Sequence, residues 1–147
     1  MRHTVIRRLP YTPRQLFDLV GDVELYPRFV PWVSEMRVAN RREDGEGIIL
    51  LDAEARVGFS IVRERFTTRV RLDGPTLTID ADLLSGPFRK LHTRWRFKLD
   101  GEGTELSFVI DFEFGSRLLQ ALLAVNFERA VARLVGCFEA RAKALYG

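Results

Sequence analysis

The side chains that could carry acid–base or metal chemistry are few in this 147-residue chain, which contains two histidines, His3 and His92, and one cysteine, Cys137. They are far apart in the sequence, so the usual cluster of His and Cys ligands for zinc cannot be assembled from them, and the sequence predicts no metal site. His92 alternates with arginine and lysine on an outward face, which disfavours a Ser-His-Asp arrangement.

Glu64 is the one candidate for a buried acid or base. No Walker lysine loop and no Gly-x-Gly-x-x-Gly motif follows a strand, and most carboxylates alternate on strand exteriors, where solvent reaches them. The register of its own segment points Glu64 inward beside Phe66, where a carboxylate costs several kcal/mol unless it is partnered or solvated. Two interpretations are open: a local bulge turns Glu64 outward, or it is a polar group inside a cavity.

Aromatic side chains are more prominent than reactive ones, with eleven phenylalanines in the chain. Phe has no hydrogen-bonding atom, so this surplus suits either a thick core or an apolar ligand cavity. Tyr26, Phe29 and Trp32 lie on a segment with two prolines and either plug the end of the core or form an entrance lip. A second group would line a sheet and a facing helix: Trp95, Phe97, Phe108 and Phe112 opposite Phe127, Val131 and Phe138.

The elements that position these residues follow from periodicity. A first strand is followed by Thr12 and Pro13, an N-cap and a first helical residue that predict a short helix ending at Gly21. A second helical turn runs into a proline-rich loop, and from Val33 onward the period of two predicts six strands. Such a series forms an antiparallel meander, across which a C-terminal helix must return to bury its apolar side.

The C-terminal helix is predicted from a proline-free run between Ser116 and Tyr146, about 45 Å long at about 1.5 Å per residue. Its apolar side chains recur at helical spacing and form one stripe. The stripe consists of Leu119, Leu122, Leu123, Phe127, Val131, Leu134, Val135, Phe138, Ala142 and Leu145. Asn126 lies on it and needs a polar partner, while Gly136 indicates close approach of a strand or a ligand. Both could orient the polar head of an oily molecule.

A basic stripe is expected on the outer face of the third strand of the meander region, formed by Arg63, Arg65, Arg69 and Arg71, with few obvious acidic neighbours. The formal net charge is +3. This excess suits either solubility or an anionic partner such as RNA or acidic lipid headgroups.

We expect one domain spanning residues 1–147, and the single cysteine fits a reducing, cytosolic location. No apolar run is long enough for a transmembrane helix.

Several segments together resemble the coenzyme Q-binding START-like family of the polyketide cyclase/START superfamily, which includes the bacterial ribosome association toxin A proteins. The segments are Tyr26-Pro27-Arg28-Phe29-Val30-Pro31-Trp32, Ser85-Gly86-Pro87-Phe88-Arg89-Lys90-Leu91, Asp111-Phe112-Glu113-Phe114 and Phe138-Glu139-Ala140-Arg141-Ala142. Val33 departs from the family, whose loop often carries a cysteine there.

The resemblance implies an α+β helix-grip fold similar to START and Bet v 1 proteins: a curved antiparallel sheet of about seven strands wrapped around a long C-terminal helix, with an apolar tunnel between them. By resemblance, Trp95, Phe97, Phe112, Phe127 and Val131 line the tunnel, and the loop from Phe29 to Trp32 gates it together with Gly86 to Phe88. The complete set of candidate ligand-binding residues is Phe29, Val30, Trp32, Glu64, Phe66, Phe88, Trp95, Phe97, Phe108, Phe112, Asn126, Phe127, Val131 and Phe138.

Three functions are consistent with these features. The first is a non-enzymatic carrier or chaperone for ubiquinone or a similar isoprenoid lipid, with no covalent cofactor, using the arginine stripe to meet an anionic membrane. The second is a toxin that binds the large ribosomal subunit through the same arginines and blocks subunit association. The third is a cyclase-like enzyme with Glu64 as base. No DNA partner is expected.

Overall fold

The computed structural model describes residues 1–59, 62–124 and 126–147, without the side chains of residues 59, 62, 119, 122 and 123. The described residues form one seven-stranded sheet, three α-helices and a 3₁₀ helix at Val23–Arg28. The strands are β1 (Arg2–Leu9), β2 (Val33–Glu43), β3 (Ile48–Phe59), β4 (Val62–Asp73), β5 (Thr78–Ser85), β6 (Phe88–Asp100) and β7 (Gly103–Phe114). The helices are α1 (Pro13–Gly21), α2 (Arg117–Ala124) and α3 (Phe127–Tyr146).

Strand order in the sheet is β1-β7-β6-β5-β4-β3-β2, and every neighbouring pair is antiparallel. From β2 to β7 each strand pairs with the next, which confirms the predicted meander, and β1 closes the series by pairing with β7. Successive junctions therefore alternate between two ends of the sheet. We call one the α2 end, where β3 meets β4, β5 meets β6 and β7 leads into α2. The other is the α1 end.

The first helix begins as its sequence predicts. The Thr12 hydroxyl accepts a hydrogen bond from the Gln15 backbone N–H at 3.1 Å, and the Gln15 side chain accepts one from the Thr12 N–H at 2.9 Å. This capping box satisfies two N–H groups that the first turn would otherwise leave unpaired. The apolar face of α1 buries Leu16, Phe17, Leu19 and Val20.

The C-terminal helix is not continuous, which corrects the prediction of a single helix from 116 to 146. α2 ends at Ala124 and α3 begins at Phe127, and Asn126 is an exposed residue that immediately precedes α3. Asparagine is common at this position, although the Asn126 side chain makes no capping hydrogen bond to the first turn of α3. The proposal that Asn126 lies on a buried stripe is therefore wrong. Leu145, also assigned to the stripe, is exposed at the last turn.

The buried face of α3 consists of Val131, Val135, Phe138 and Ala142, whose spacing of three and four residues places them on one side of the helix. These side chains belong to the main cluster, the larger of two groups of buried apolar residues, together with α1 and the inner faces of all the strands. The inward side chains predicted at Val62, Leu119, Leu122 and Leu123 lie outside the described residues.

A second cluster lies at the α2 end. Its buried members are Leu91, Phe112 and Phe114, and its partly buried members are Phe66, Leu83, Phe88, Ile110 and Phe127.

Gly136 is exposed on α3, and the expected close approach of a strand is wrong: apart from the helix's own backbone, no described atom lies within 4 Å of the position its Cβ would occupy. Gly136→Ala should therefore raise the free energy of unfolding by about 1 kcal/mol, because alanine restricts the unfolded chain and favours the helix. Urea denaturation measures the change.

Gly86→Ala is the contrasting variant. At Gly86, φ is +149° and a Cβ would lie 2.5 Å from the Cβ of Phe66, so this substitution should destabilise the protein. A destabilising Gly136→Ala would contradict the open environment assigned to that residue.

Candidate functional site

The proline-rich loop packs two rings against α3. The centroids of Tyr26 and Phe29 each lie 5.1 Å from that of Phe138, and both pairs are edge-to-face. The Tyr26 hydroxyl donates to the Val20 carbonyl at 2.5 Å. Burial, and secondly the charge of Asp22, raises the pKa of Tyr26 well above its usual value. Val30 is fully buried. The sequence left two alternatives for these aromatic residues, a plug at the end of the core or an entrance lip. Tyr26, Phe29 and Val30 form a plug.

The sheet aromatics meet the same helix residue. Trp95 lies 4.4 Å from Phe108 and 4.9 Å from Phe138 between ring centroids, and it stacks on Phe97 at 6.3 Å. All four rings are buried in the main cluster, which also contains Val131. The structure thus brings these five predicted site residues together. The four rings pack against one another and fill the space between the sheet and α3.

The second cluster contains four of the predicted site residues, three of which are partly exposed. Phe112 stacks on Phe127 with centroids 3.8 Å apart, which joins β7 to the first residue of α3. Phe66 and Phe88 meet edge-to-face at 5.5 Å. Phe66, Phe88 and Phe127 are each only half-buried. The glycine turn before β6 lies directly on Phe66, because only hydrogen fits at Gly86.

Of the two polar residues nominated for a ligand headgroup, Glu64 keeps its predicted register and Asn126 does not lie on the buried stripe. The β3–β4 ladder runs without a shift from Ile48–Asp73 to Phe59–Val62, so no bulge turns Glu64 outward and that explanation is wrong. Glu64 keeps its inward register but is half-exposed in an open cleft of about 450 Å³ beside Trp32. Solvation there removes the cost of burying a carboxylate. Asn126 is exposed.

The arginine stripe on β4 is mostly paired, which corrects the expectation of few acidic neighbours. The pairs are Arg65 with Glu54 (3.8 Å), Arg69 with Asp52 (3.6 Å) and Arg71 with Asp44 (2.6 Å). Hydrogen bonding from Asn40, and secondly the charge of Arg69, lowers the pKa of Asp52. Arg63 is the one member of the stripe with no ion pair to another described residue.

Two arginine–aromatic contacts on the outer side of α3 were missed by the sequence reasoning. The Arg133 guanidinium lies 5.7 Å from the centre of the Trp32 ring, and that of Arg141 lies 5.5 Å from the centre of Phe29. The two arginines are eight residues apart, about two helical turns, and border a shallow groove floored by Gly136 and Ala140. The sequence alone indicates that the two arginines lie on the same side of the helix, but it does not show which aromatic rings they contact.

Reactive groups are sparse in the described part of the chain. No three His, Cys, Asp or Glu side chains there are grouped so that they could hold a metal ion. Burial raises the pKa of the Cys137 thiol, against the opposing charge of Arg133, so thiolate chemistry is disfavoured. Within the same residues, every helix is too short or too polar to cross a bilayer.

Comparison with known proteins identifies the family. The family described as polyketide cyclase / dehydrase and lipid transport matches residues 9–139. This chain belongs to that family. Its START-like helix-grip architecture, predicted above, is confirmed by solved structures of START and Bet v 1-like proteins. A solution structure of an 18 kDa protein from Caulobacter crescentus is 54% identical, with a TM-score of 0.84 over 100% of this chain and 99% of that one.

Two curated members of the family have different names. The ribosome association toxin RatA of Pseudomonas aeruginosa is 40% identical over 95% of this chain and 93% of its own length. The mitochondrial coenzyme Q-binding protein COQ10 homolog B of Xenopus laevis is 33% identical over 95% of this chain, which corresponds to 57% of that protein.

Tyr26→Phe tests the plug. The variant leaves the Val20 carbonyl without its donor and should lower the free energy of unfolding at neutral pH by about 1–2 kcal/mol. Because the pKa of Tyr26 is higher in the folded than in the unfolded protein, its stabilisation is complete below about pH 10 and is lost as the pH rises further.

Urea unfolding at several pH values between 8 and 11 measures this difference. The wild type should lose stability more steeply than Tyr26→Phe above about pH 10. A residual slope is expected in both proteins, since burial also raises the pKa of Tyr146. Parallel curves would contradict a buried, hydrogen-bonded Tyr26.

Proposed function

We propose that this protein binds an isoprenoid lipid of the ubiquinone class without converting it, and acts as a carrier or chaperone for that lipid. The observation that carries the proposal is the division of the aromatic interior. The main cluster holds α1, α3 and the sheet together, whereas the second cluster lies at the α2 end and shares the partly buried Ile110 and Phe127 with it. Three of those rings, Phe66, Phe88 and Phe127, already reach solvent.

An isoprenoid tail fits this environment energetically. Each methylene transferred from water to an apolar site contributes about 0.8 kcal/mol, so one five-carbon unit contributes about 4 kcal/mol if fully buried. A tail inserted at the Phe112–Phe127 stack would replace ring–ring contacts with ring–tail contacts. The main cluster would keep its own packing, so binding need not unfold the protein.

The family description supports lipid binding and leaves catalysis open, since it covers cyclases as well as lipid transport. The xenopus relative is named a coenzyme Q-binding protein. Glu64 was the only acid or base available to a cyclase mechanism, and it lies half-exposed in an open cleft rather than among the rings. This placement favours a non-enzymatic function for the present chain.

Substitutions in the second cluster test the site. Phe127→Leu and Phe66→Leu should each weaken binding of a short-tail ubiquinone roughly five- to tenfold, because each removes ring surface worth about 1 kcal/mol or more. Quenching of tryptophan fluorescence during titration gives the dissociation constant. Glu64→Gln should bind as the wild type does.

Phe17→Leu is the matched control, since it makes the same change in the main cluster near the α1 end. It should lower stability while leaving quinone affinity unchanged. Equal losses of affinity in all three leucine variants would contradict a site at the second cluster.

A second candidate, association with the large ribosomal subunit, is favoured by the arginine–aromatic contacts on α3. A guanidinium lying over a half-buried ring offers both a stacking surface and a phosphate partner, a combination typical of RNA contact. The Pseudomonas relative, which this chain covers almost completely, is named a ribosome association toxin.

Sedimentation of ribosomes with added protein tests this candidate. If it holds, the wild type should deplete the joined-ribosome peak, and Arg133→Gln or Trp32→Leu should restore it. Arg96→Gln, an exposed arginine on β6, is the control. Binding should weaken steeply with salt. An unchanged profile with wild-type protein would reject ribosome association.

A further inference from the structure

Two large aliphatic side chains are exposed at the α2 end. Leu118, in the first turn of α2, is 71% exposed, and Leu84, near the end of β5, is 44% exposed. The eight residues of α2 read RLLQALLA and contain a single charge, on Arg117. Two exposed leucines at the same end of the molecule form an apolar surface of the kind that marks interaction sites.

Strand alternation places Leu84 on the outer face of β5. Ile79 is buried and Leu83 is half-buried, whereas Asp82 and Leu84 are exposed. Thr67 pairs with Ser85 and Thr68 pairs with Leu83, so Leu84 is also the extra residue of a bulge at this point of the strand. Its exposure therefore follows from the register of the backbone.

Backbone contacts bring the two leucines to one edge of the molecule. The Gly115 N–H donates to the Pro87 carbonyl at 2.7 Å, and Phe88 pairs with Phe114. The first bond joins the β5–β6 turn, which follows Leu84, to the segment that leads into Leu118. The same contacts lie directly above Phe66 and Phe88 of the second cluster.

The charge around this edge is positive. Arg89 and Arg117 are exposed, and neither forms an ion pair or hydrogen bond with another described residue. The neighbouring strand carries two acidic residues: Asp111 accepts a hydrogen bond from Lys90 at 2.9 Å, and Glu113 is the exposed cross-strand partner of Lys90. Two unpaired guanidinium groups thus flank two exposed leucines.

We infer that this edge, formed by Leu84, Arg89, Arg117 and Leu118, docks on an anionic phospholipid bilayer and presents the second cluster to it. The inference rests on the proposed lipid-binding function. Leucines inserted at the boundary between headgroups and acyl chains leave water, while the arginines meet lipid phosphates. RNA would satisfy the arginines but would leave both leucines in water. A tail could then pass from the membrane to Phe66 and Phe127 without crossing solvent.

This surface replaces the membrane contact expected from the sequence. That expectation relied on the stripe from Arg63 to Arg71, which lies on the outer face of the sheet and is largely paired with carboxylates. Its guanidinium groups would have to give up these partners to reach lipid, whereas Arg89 and Arg117 would not.

Co-sedimentation with vesicles tests the inference. The wild type should sediment with vesicles of equimolar phosphatidylcholine and phosphatidylglycerol, and much less with phosphatidylcholine alone. Leu118→Glu should lower the bound fraction about tenfold by placing a carboxylate at the interface. Arg89→Gln combined with Arg117→Gln should abolish the preference for anionic vesicles.

Leu99→Glu is the matched control, because Leu99 is 64% exposed at the α1 end. It should bind vesicles as the wild type does. Leu84→Glu provides a second insertion variant in case Leu118→Glu alters folding, which circular dichroism and urea unfolding would reveal. Equal vesicle binding by wild type and both insertion variants would overturn the inference, as would an equal loss in Leu99→Glu.

Further measurements separate this inference from other functions. If the protein binds short-tail quinone in solution but no vesicles, the docking surface is wrong and the carrier proposal stands. If it docks on vesicles but binds no quinone, the carrier proposal fails. If ribosomal subunits bind and vesicles do not, and Arg89→Gln with Arg117→Gln removes that binding, the edge is an RNA-binding surface and the inference is overturned.

Discussion

Phe138 is the side chain on which the packing of α3 against the rest of this fold depends most. It projects from the middle of α3 and touches three rings from two separate parts of the chain: Tyr26 and Phe29 on the proline-rich loop and Trp95 on β6. Each contact joins α3 to an element distant in sequence. Because the buried face of α3 has only four residues, this one position links the helix, the loop and the sheet.

The arrangement leaves the two ends of the sheet unequal. At the α1 end, α1 packs on the sheet and the Tyr146 hydroxyl donates to the Gln15 carbonyl at 3.1 Å, which fixes the end of α3. At the α2 end the helix is interrupted, and Phe127 begins α3 on top of Phe112. The buried contacts of Phe138 and α1 thus lie away from the half-exposed rings of the α2 end. In the proposed carrier, this division lets the domain remain folded while those rings exchange partners with a lipid.

Much of this architecture could be predicted because it depends on local periodicity. Alternation identified the strands, Thr12 and Pro13 identified the start of α1, and the apolar stripe identified α3. The interruption of the C-terminal helix was missed because apolar spacing continues across it. Asn126 was the available signal, since asparagine before an apolar helical segment favours a helix start. The ion pairs of Arg65, Arg69 and Arg71 could not be predicted, because they depend on the register of β4 with β3 and on the position of the following turn.

The candidate site was predicted in composition more accurately than in geometry. The sequence predicted that these rings face the interior, but strand alternation alone does not show that Trp95 lies in the main cluster, that Phe112 lies in the second, and that Phe127 packs against both. That distinction depends on where α3 crosses the sheet. Likewise, the inward register of Glu64 was correct, yet only the position of Trp32 and the end of β3 shows that solvent reaches it.

Organic extraction of protein purified without detergent, followed by mass spectrometry, tests the central claim most directly. A carrier with its lipid site at the second cluster should yield an isoprenoid quinone in near-equimolar amount. Lipid-free protein that also fails to take up quinone when it is supplied would contradict the account, and the rings at the α2 end would then be part of a closed core.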